Sequence, residues 1–291
     1  MIDPAKAFQQ IRRLQITALR NVNDLFAGIY RSTFKGRGLE FEDVREYLAG
    51  DDIRLIDWNN TARSRHLFVK NFREERELTV MLVVDISASS QYGHLERLKS
   101  EMIAELAALI AFSAIKNQDK VGLLLFSSEV ELYLRPKKGV RHVLRLIREL
   151  LYFSPKHKGT DMPKALDFLG RVQRKQAICF LISDFLSSDF SKQVKLIARM
   201  HELIAFHVFD TYEREFLPQA LFNLHDLESG EEHLVDTKEI SVREKFRSTA
   251  EEGGRAIRRI FESSGADYLT MHTGETSKEV LQRFFRLRKG K

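Results

Sequence analysis

The sequence has 291 residues, of which 43% are hydrophobic and 30% charged, so it can bury a core in one large domain or two modest ones. Its single cysteine, Cys179, excludes an internal disulfide framework and is typical of a reducing compartment. The first twenty residues contain no apolar block, and no apolar stretch is long enough to span a bilayer. We therefore expect a cytoplasmic protein with neither a signal peptide nor a membrane span.

The net charge of +6 raises the question of nucleic-acid binding, but the distribution of the charges argues against it. Most basic residues alternate with acidic ones, as in residues 73–77, which is typical of a solvated surface. Two basic clusters remain, in residues 135–141 and 286–289, and neither contains interleaved aromatic residues for stacking on bases. We predict that the protein does not bind nucleic acid.

The first predicted element is an amphipathic helix near the N-terminus. Asp3 and Pro4 are typical of a helix start, and apolar residues recur at helical spacing from residue 7 to residue 25. Residues 35–66 are mixed and rich in turn-forming residues, and residues 67–72 are compatible with a short strand. We predict that this helical and irregular segment, residues 1–76, packs on a domain formed by residues 77–291.

The rest of the sequence alternates between apolar runs and amphipathic stretches. The run at residues 79–84 is continuous and partly β-branched, as expected of a strand buried on both faces. Residues 130–134 follow the second such run too closely for a helical crossover, which implies an antiparallel strand at the sheet edge. We therefore predict an α/β fold with a mostly parallel six-stranded sheet, one antiparallel edge strand and helices on both faces.

The predicted elements have the following bounds. The strands cover residues 79–84, 121–126, 130–134, 177–182, 203–209 and 268–271. The helices cover residues 95–115, 140–152, 161–174, 191–200, 242–262 and 277–286. A hairpin over residues 222–235 lies within an insertion at about residues 213–240.

Oxygen-bearing side chains follow the predicted strands at the sheet edge where open α/β sheets bind ligands. Asp85, Ser87 and Ser89 occupy alternate positions directly after the first strand, which places a carboxylate and two hydroxyls on one side. Thr160 lies in a loop that opens a helix, and Asp184 follows the strand that ends near residue 182. Oxygen ligands suit a hard cation such as Mg²⁺ or Mn²⁺ and do not suit zinc.

This set of five residues resembles the metal-ion-dependent adhesion site of von Willebrand A domains. The resemblance implies that Ser87, Ser89 and Thr160 bind the cation, and that Asp85 and Asp184 support them through water or hydrogen bonds. It also implies that a carboxylate of a partner protein completes the coordination shell. The expected role of such a site is binding and not catalysis.

Each part of this pattern also has a purely structural explanation. The two serines can cap a turn at the strand end, and Thr160 or Asp161 can cap the helix that follows. Asp184 can be a solvated loop residue. The metal site is favoured because all five residues occur in the expected order on the expected elements.

A second resemblance covers most of the chain, from about residue 36 almost to the C-terminus. Residues 50–58, 61–63 and 67–70 resemble the signature of a bacterial family of unknown function that is associated with MoxR-type AAA+ ATPases. The sequence departs from that signature at Ala49, where a proline is common. The resemblance implies that a MoxR-type AAA+ ATPase is a partner, in a subgroup of the family without N-terminal membrane spans.

Four residues of this signature have two possible roles. Arg54, Asp57, Trp58 and Arg63 can form a buried polar latch, meaning a cluster that ties the N-terminal segment to the sheet, or they can contact a partner. The latch is favoured because a lone tryptophan is usually packed.

These observations favour a non-enzymatic, metal-dependent adaptor that binds an acidic residue of a client or of the ATPase and assists assembly or maturation of protein complexes. The alternative is a Mg²⁺-dependent hydrolase or phosphotransferase that uses the same strand ends. An aspartyl phosphotransferase needs a second carboxylate two residues after Asp85, where this sequence has Ser87. The sequence also has no GxxxxGK[ST] loop, so ATP hydrolysis is expected of a partner.

Overall fold

A computed structural model of the protein describes residues 12, 15, 16, 18, 30, 34, 40–64, 66–73, 77–92, 98–215, 221–225 and 232–289. The chain divides into two compact units, Phe34–Leu78 and the combination of Met1–Thr33 with Thr79–Lys291. Most of the predicted N-terminal helix lies outside the described residues, and residues 12, 15, 16 and 18 within it have helical backbone. The predicted packing of residues 1–76 on the remainder stays a prediction.

The unit Phe34–Leu78 contains a two-stranded antiparallel sheet of β1 (Glu40–Glu46) and β2 (Phe68–Arg73). Between the strands lie a 3₁₀ helix, Ile53–Leu55, and the single-turn helix α1, Trp58–Thr61. The predicted strand at residues 67–72 is thus confirmed with a shift of one residue. The expectation of turn-rich structure at residues 40–46 is wrong, since these residues form β1. Their sequence, EFEDVRE, does not predict a strand because it is dominated by charged residues of low strand propensity.

A six-stranded sheet forms the centre of the other unit. Its strands are β3 (Thr79–Asp85), β4 (Lys120–Phe126), β5 (Val130–Lys137), β6 (Ile178–Ser183), β7 (Glu202–Phe209) and β10 (Asp267–His272). They lie in the order β10-β7-β6-β3-β4-β5, and all neighbouring pairs are parallel except β4 and β5. The predicted sheet with one antiparallel edge strand is confirmed.

In the described part of the chain, six helices cover the two faces of this sheet, at the predicted places with small changes at their ends. They are α2 (Lys99–Lys116), α3 (Val140–Tyr152), α4 (Met162–Val172), α5 (Ser191–Met200), α6 (Ile240–Ser263) and α7 (Ser277–Lys289). Contacts between neighbouring helices show that α2, α3 and α7 lie on one face of the sheet and that α4, α5 and α6 lie on the other. Within the described part of the chain, no helix is both long and apolar enough to cross a membrane.

The predicted hairpin is also present, as β8 (Leu221–His225) paired antiparallel with β9 (Glu232–Asp236). Its predicted break, at residues 229–230, lies outside the described residues.

Aromatic side chains pack in the core on both faces of the large sheet. Phe206 and Phe284 meet at 6.1 Å between ring centroids on the side of α7, and Phe185 and Phe261 meet at 5.0 Å on the side of α6.

The arrangement of the strands determines where a ligand site can form. From β3 the chain continues to β4 on one side, and later returns to β6 on the other side. The order of connection therefore reverses between β3 and β6. In open α/β sheets, the crevice outside the carboxyl ends of the strands at such a reversal is the usual place for a ligand.

Candidate metal centre

Asp85, the last residue of β3, links the two strands that flank this reversal. Its Oδ1 accepts a hydrogen bond from the backbone N–H of Ser87 at 2.9 Å, and its Oδ2 accepts one from Ser183 Oγ at 2.6 Å. Burial, with the nearby charge of Asp184 adding to it, raises the pKa of Asp85 to about 7. Asp85 thus orders the turn that carries the serines and fixes it to the end of β6.

The two predicted serine ligands lie side by side. Ser87 Oγ and Ser89 Oγ are 3.1 Å apart, at the start of a 3₁₀ helix, Ala88–Gln91. Ser87 is buried, whereas Ser89 is partly exposed. In octahedral Mg²⁺ coordination at the usual oxygen distance, neighbouring ligand oxygens are about 2.9 Å apart. The separation of the two hydroxyls therefore fits two adjacent positions around such an ion.

The loop that carries Thr160 meets the ends of the same two strands. The backbone N–H of Ala88 donates to the carbonyl of Lys158 at 2.9 Å, and Ser187 Oγ donates to the carbonyl of Thr160 at 3.3 Å. The N-cap of α4 is Asp161, so the capping role considered for Thr160 belongs to its neighbour. The structure therefore brings the backbone of the predicted third ligand to the two strand ends that carry the other four residues.

A carboxylate outside the predicted set, that of Glu131, shapes this loop. Glu131 Oε1 accepts a hydrogen bond from Ser127 Oγ at 2.8 Å and two more from the backbone N–H groups of Lys156 and His157, each at 3.0 Å. The same oxygen lies 2.9 Å from His157 Nδ1. Although burial opposes it, these hydrogen bonds lower the pKa of Glu131. Glu131 therefore stays ionised and holds the segment that leads to Thr160.

A buried lysine is the second feature that the sequence did not reveal. Lys99, the first residue of α2, is 1% exposed, and its Nζ donates to Asp184 Oδ2 at 3.1 Å and to Glu213 Oε1 at 2.6 Å. Burial opposes the charged form, but the attraction of these two carboxylates outweighs it and raises the pKa of Lys99. Asp184 is 6% exposed, so the solvated-loop explanation for it is wrong.

The residues present fit a hard divalent cation. Asp184 and Glu213 share the ammonium group of Lys99, and Asp85 lies close enough to Asp184 for that charge to raise its pKa. The carboxyl groups thus outnumber the ammonium group, so a further positive charge is favourable. Within the described part of the chain, no group of three or more His, Cys, Asp or Glu side chains could hold a metal ion. A metal centre here therefore depends on the hydroxyls of Ser87 and Ser89, which suit Mg²⁺ or Mn²⁺.

The four signature residues do not form one cluster. Asp57 caps α1 by accepting from two backbone N–H groups, and Arg54 instead pairs with Asp52 at 2.7 Å. Arg63 is exposed, and Trp58 is 66% exposed. The expectation of a packed tryptophan is therefore wrong. The choice between a latch and a partner contact for these residues stays a prediction.

Comparisons with known proteins give the following similarities. The family described as "Protein of unknown function DUF58" matches residues 43–256. The uncharacterized protein Rv1480 of Mycobacterium tuberculosis is 28% identical over 277 residues, which is 94% of this chain and 86% of that protein. An aerotolerance-related membrane protein from Bacteroides fragilis has a TM-score of 0.49 at 13% identity, covering 72% of this chain and 99% of that one. The VWA domain of SpRpn10 has a TM-score of 0.39 at 10% identity, covering 72% and 95%.

Proposed function

We propose that this chain, which belongs to the DUF58 family, is a non-enzymatic adaptor that binds partner proteins through a divalent cation, Mg²⁺ or Mn²⁺, at the ends of β3 and β6. The observation that carries the proposal is the pair of hydroxyls of Ser87 and Ser89, 3.1 Å apart beside an excess of buried carboxyl groups. Ser87, Ser89 and Thr160 hold the cation, and Asp85 and Asp184 support them.

The charges around the site favour the capture of an acidic group. A cation held mainly by neutral hydroxyls keeps most of its positive charge, and a partner carboxylate then makes a strong charge-assisted contact with it. Lys99 contributes to this arrangement, because its ammonium group already neutralises part of the charge of Asp184. Asp85 contributes by holding the backbone of Ser87 in place.

The hydrogen bonds of Asp85 support binding over the alternative, a hydrolase or phosphotransferase. A carboxylate nucleophile needs an oxygen that faces the substrate, but both oxygens of Asp85 accept hydrogen bonds from within the protein. Ser87 stands where an aspartyl phosphotransferase has its second carboxylate.

The proposed partners are a MoxR-type AAA+ ATPase and a client protein that presents an acidic residue, and the proposed role is assembly or maturation of protein complexes. The resemblance of residues 50–58 to the signature of ATPase-associated proteins supports the first partner. The electrophilic character of the proposed centre supports the second.

Capture of a purified MoxR-type ATPase from the same genome tests the proposal. The immobilised chain is expected to retain the ATPase in Mg²⁺ and to release it in EDTA. Thr160→Ala should weaken capture with little loss of stability, because it removes a ligand of the cation. Asp184→Ala removes a residue that supports the ligands, for which a loss on the order of 10–100-fold is typical. Ser188→Ala, an exposed hydroxyl in the loop after β6, is the matched control and should change nothing. Equal capture in EDTA and in the Thr160 variant would contradict the proposal and direct attention to the basic cluster at residues 135–141.

A further inference from the structure

A groove away from the candidate metal centre carries an unusual concentration of arginine. It has a volume of 290 Å³ and lies where α6 passes the end of β7 and the edge strand β10. Its walls contain three guanidinium groups and one carboxylate, and the lining residues are Arg214, Glu251, Gly254, Arg255, Arg258, Tyr268 and Thr270. The volume is at the lower end of the range of small-molecule sites.

Two of the three guanidinium groups are oriented by aromatic rings. The Arg214 guanidinium lies 3.3 Å from the ring centroid of Phe209, and the Arg258 guanidinium lies 5.5 Å from that of Tyr268. Within the described residues, neither arginine nor Arg255 forms an ion pair or a hydrogen bond. Stacking on a ring orients a guanidinium but leaves its N–H groups available to a ligand.

The lining of the groove has an excess of positive charge. Burial lowers the pKa of Arg214, and repulsion from Arg258 adds to this shift. Glu251 is the one carboxylate of the lining, and it also lies 4.0 Å from the exposed Arg247. Three guanidinium groups and one carboxylate leave the lining with a formal charge of +2. A dianion would remove this repulsion.

We propose that this groove binds the phosphoryl group of a small ligand. A phosphate dianion matches the formal charge, and its oxygens match the planar fork of N–H groups that arginine presents. Gly254 contributes by leaving α6 without a side chain at this point, where an added Cβ would stand 3.6 Å from Arg214 Nη2. The phosphoryl group can come from inorganic phosphate or from a phosphomonoester, and the two sources are distinguished by experiment.

Isothermal titration calorimetry of the full chain tests this site with inorganic phosphate, pyrophosphate and glycerol 2-phosphate as probes. EDTA is present throughout, so that a cation at the candidate metal centre does not contribute. We expect saturable binding at one site. Arg214→Gln and Arg258→Gln should each weaken it about tenfold or more, because each removes a charge-assisted hydrogen bond. Arg259→Gln, an exposed arginine on the same helix outside the groove, is the matched control and should bind as the wild type does.

The outcomes separate the source of the ligand from the existence of the site. Tighter binding of glycerol 2-phosphate than of inorganic phosphate supports a phosphomonoester ligand, and equal binding supports the phosphoryl group alone. Arg258→Lys keeps the charge but loses the planar fork, so it should bind more weakly than the wild type while it folds normally. The absence of saturable binding of all three probes at millimolar concentrations would overturn the proposal. So would an equal loss in Arg259→Gln, since this would show that general positive charge is responsible.

Discussion

Replacement of Lys99 by methionine tests the buried charge network most severely. Lys99→Met keeps the apolar length of the side chain but removes its ammonium group, which leaves Asp184 and Glu213 without their shared counterion. Removing one partner of a buried ion pair typically costs about 3–5 kcal/mol. The side chain of Glu213 is 26% exposed, so water can solvate it in part, and we expect a loss near the lower end, about 3 kcal/mol.

The free energy of unfolding is measured by urea denaturation at neutral pH in EDTA, followed by circular dichroism. Lys192→Met, an exposed lysine on α5, is the matched control, and its change should stay within about 0.5 kcal/mol. Combining Lys99→Met with Glu213→Gln should recover part of the loss, because one of the uncompensated carboxylates is then neutral. A loss of less than about 1 kcal/mol in Lys99→Met alone would refute the reasoning, since it would show that the two carboxylates do not depend on the lysine.

Three further predictions concern packing, protonation and the loop before Thr160. Gly122→Ala should lower the free energy of unfolding by about 1–3 kcal/mol in urea denaturation, because the new Cβ would lie 2.6 Å from Met81 Sδ. Burial lowers the pKa of His207 to about 3, so the stability that its neutral ring contributes is complete above about pH 6.5 and is lost as the pH falls toward 3. NMR should accordingly show no titration of His207 near neutral pH, and a titration there would contradict its burial. Glu131→Gln should accelerate hydrogen exchange at the backbone N–H groups of Lys156 and His157, and unchanged exchange would contradict its role in the loop.

The parts of the fold that could be predicted are those in which local pattern and burial agree. Residues 79–84 form a continuous apolar run, and they lie in a central strand that is buried on both faces. β1 was missed because four of its seven residues are acidic, so its sequence lacks the apolar alternation of a strand. Its pairing with β2 supplies backbone hydrogen bonds that a local pattern does not reveal.

The same distinction applies to the candidate site. Asp85, Ser87 and Ser89 lie within five consecutive residues at a strand end, so their association is visible in the sequence. Lys99 lies 85 residues from Asp184 and 114 residues from Glu213, and its burial depends on the way the strands assemble. A lysine in the first turn of a helix is ordinarily a surface residue, so the local pattern does not single out Lys99.

Divalent-cation binding by the two serines is the central claim, and calorimetric titration of the full chain with Mn²⁺ or Mg²⁺ tests it most directly. The wild type and the control Ser188→Ala are expected to bind one ion weakly. The double variant Ser87→Ala with Ser89→Ala should lose that binding while its circular dichroism spectrum stays that of the folded protein. Unchanged binding in the double variant would contradict the account and place the cation elsewhere, and no binding by the wild type at millimolar concentrations would contradict it as well.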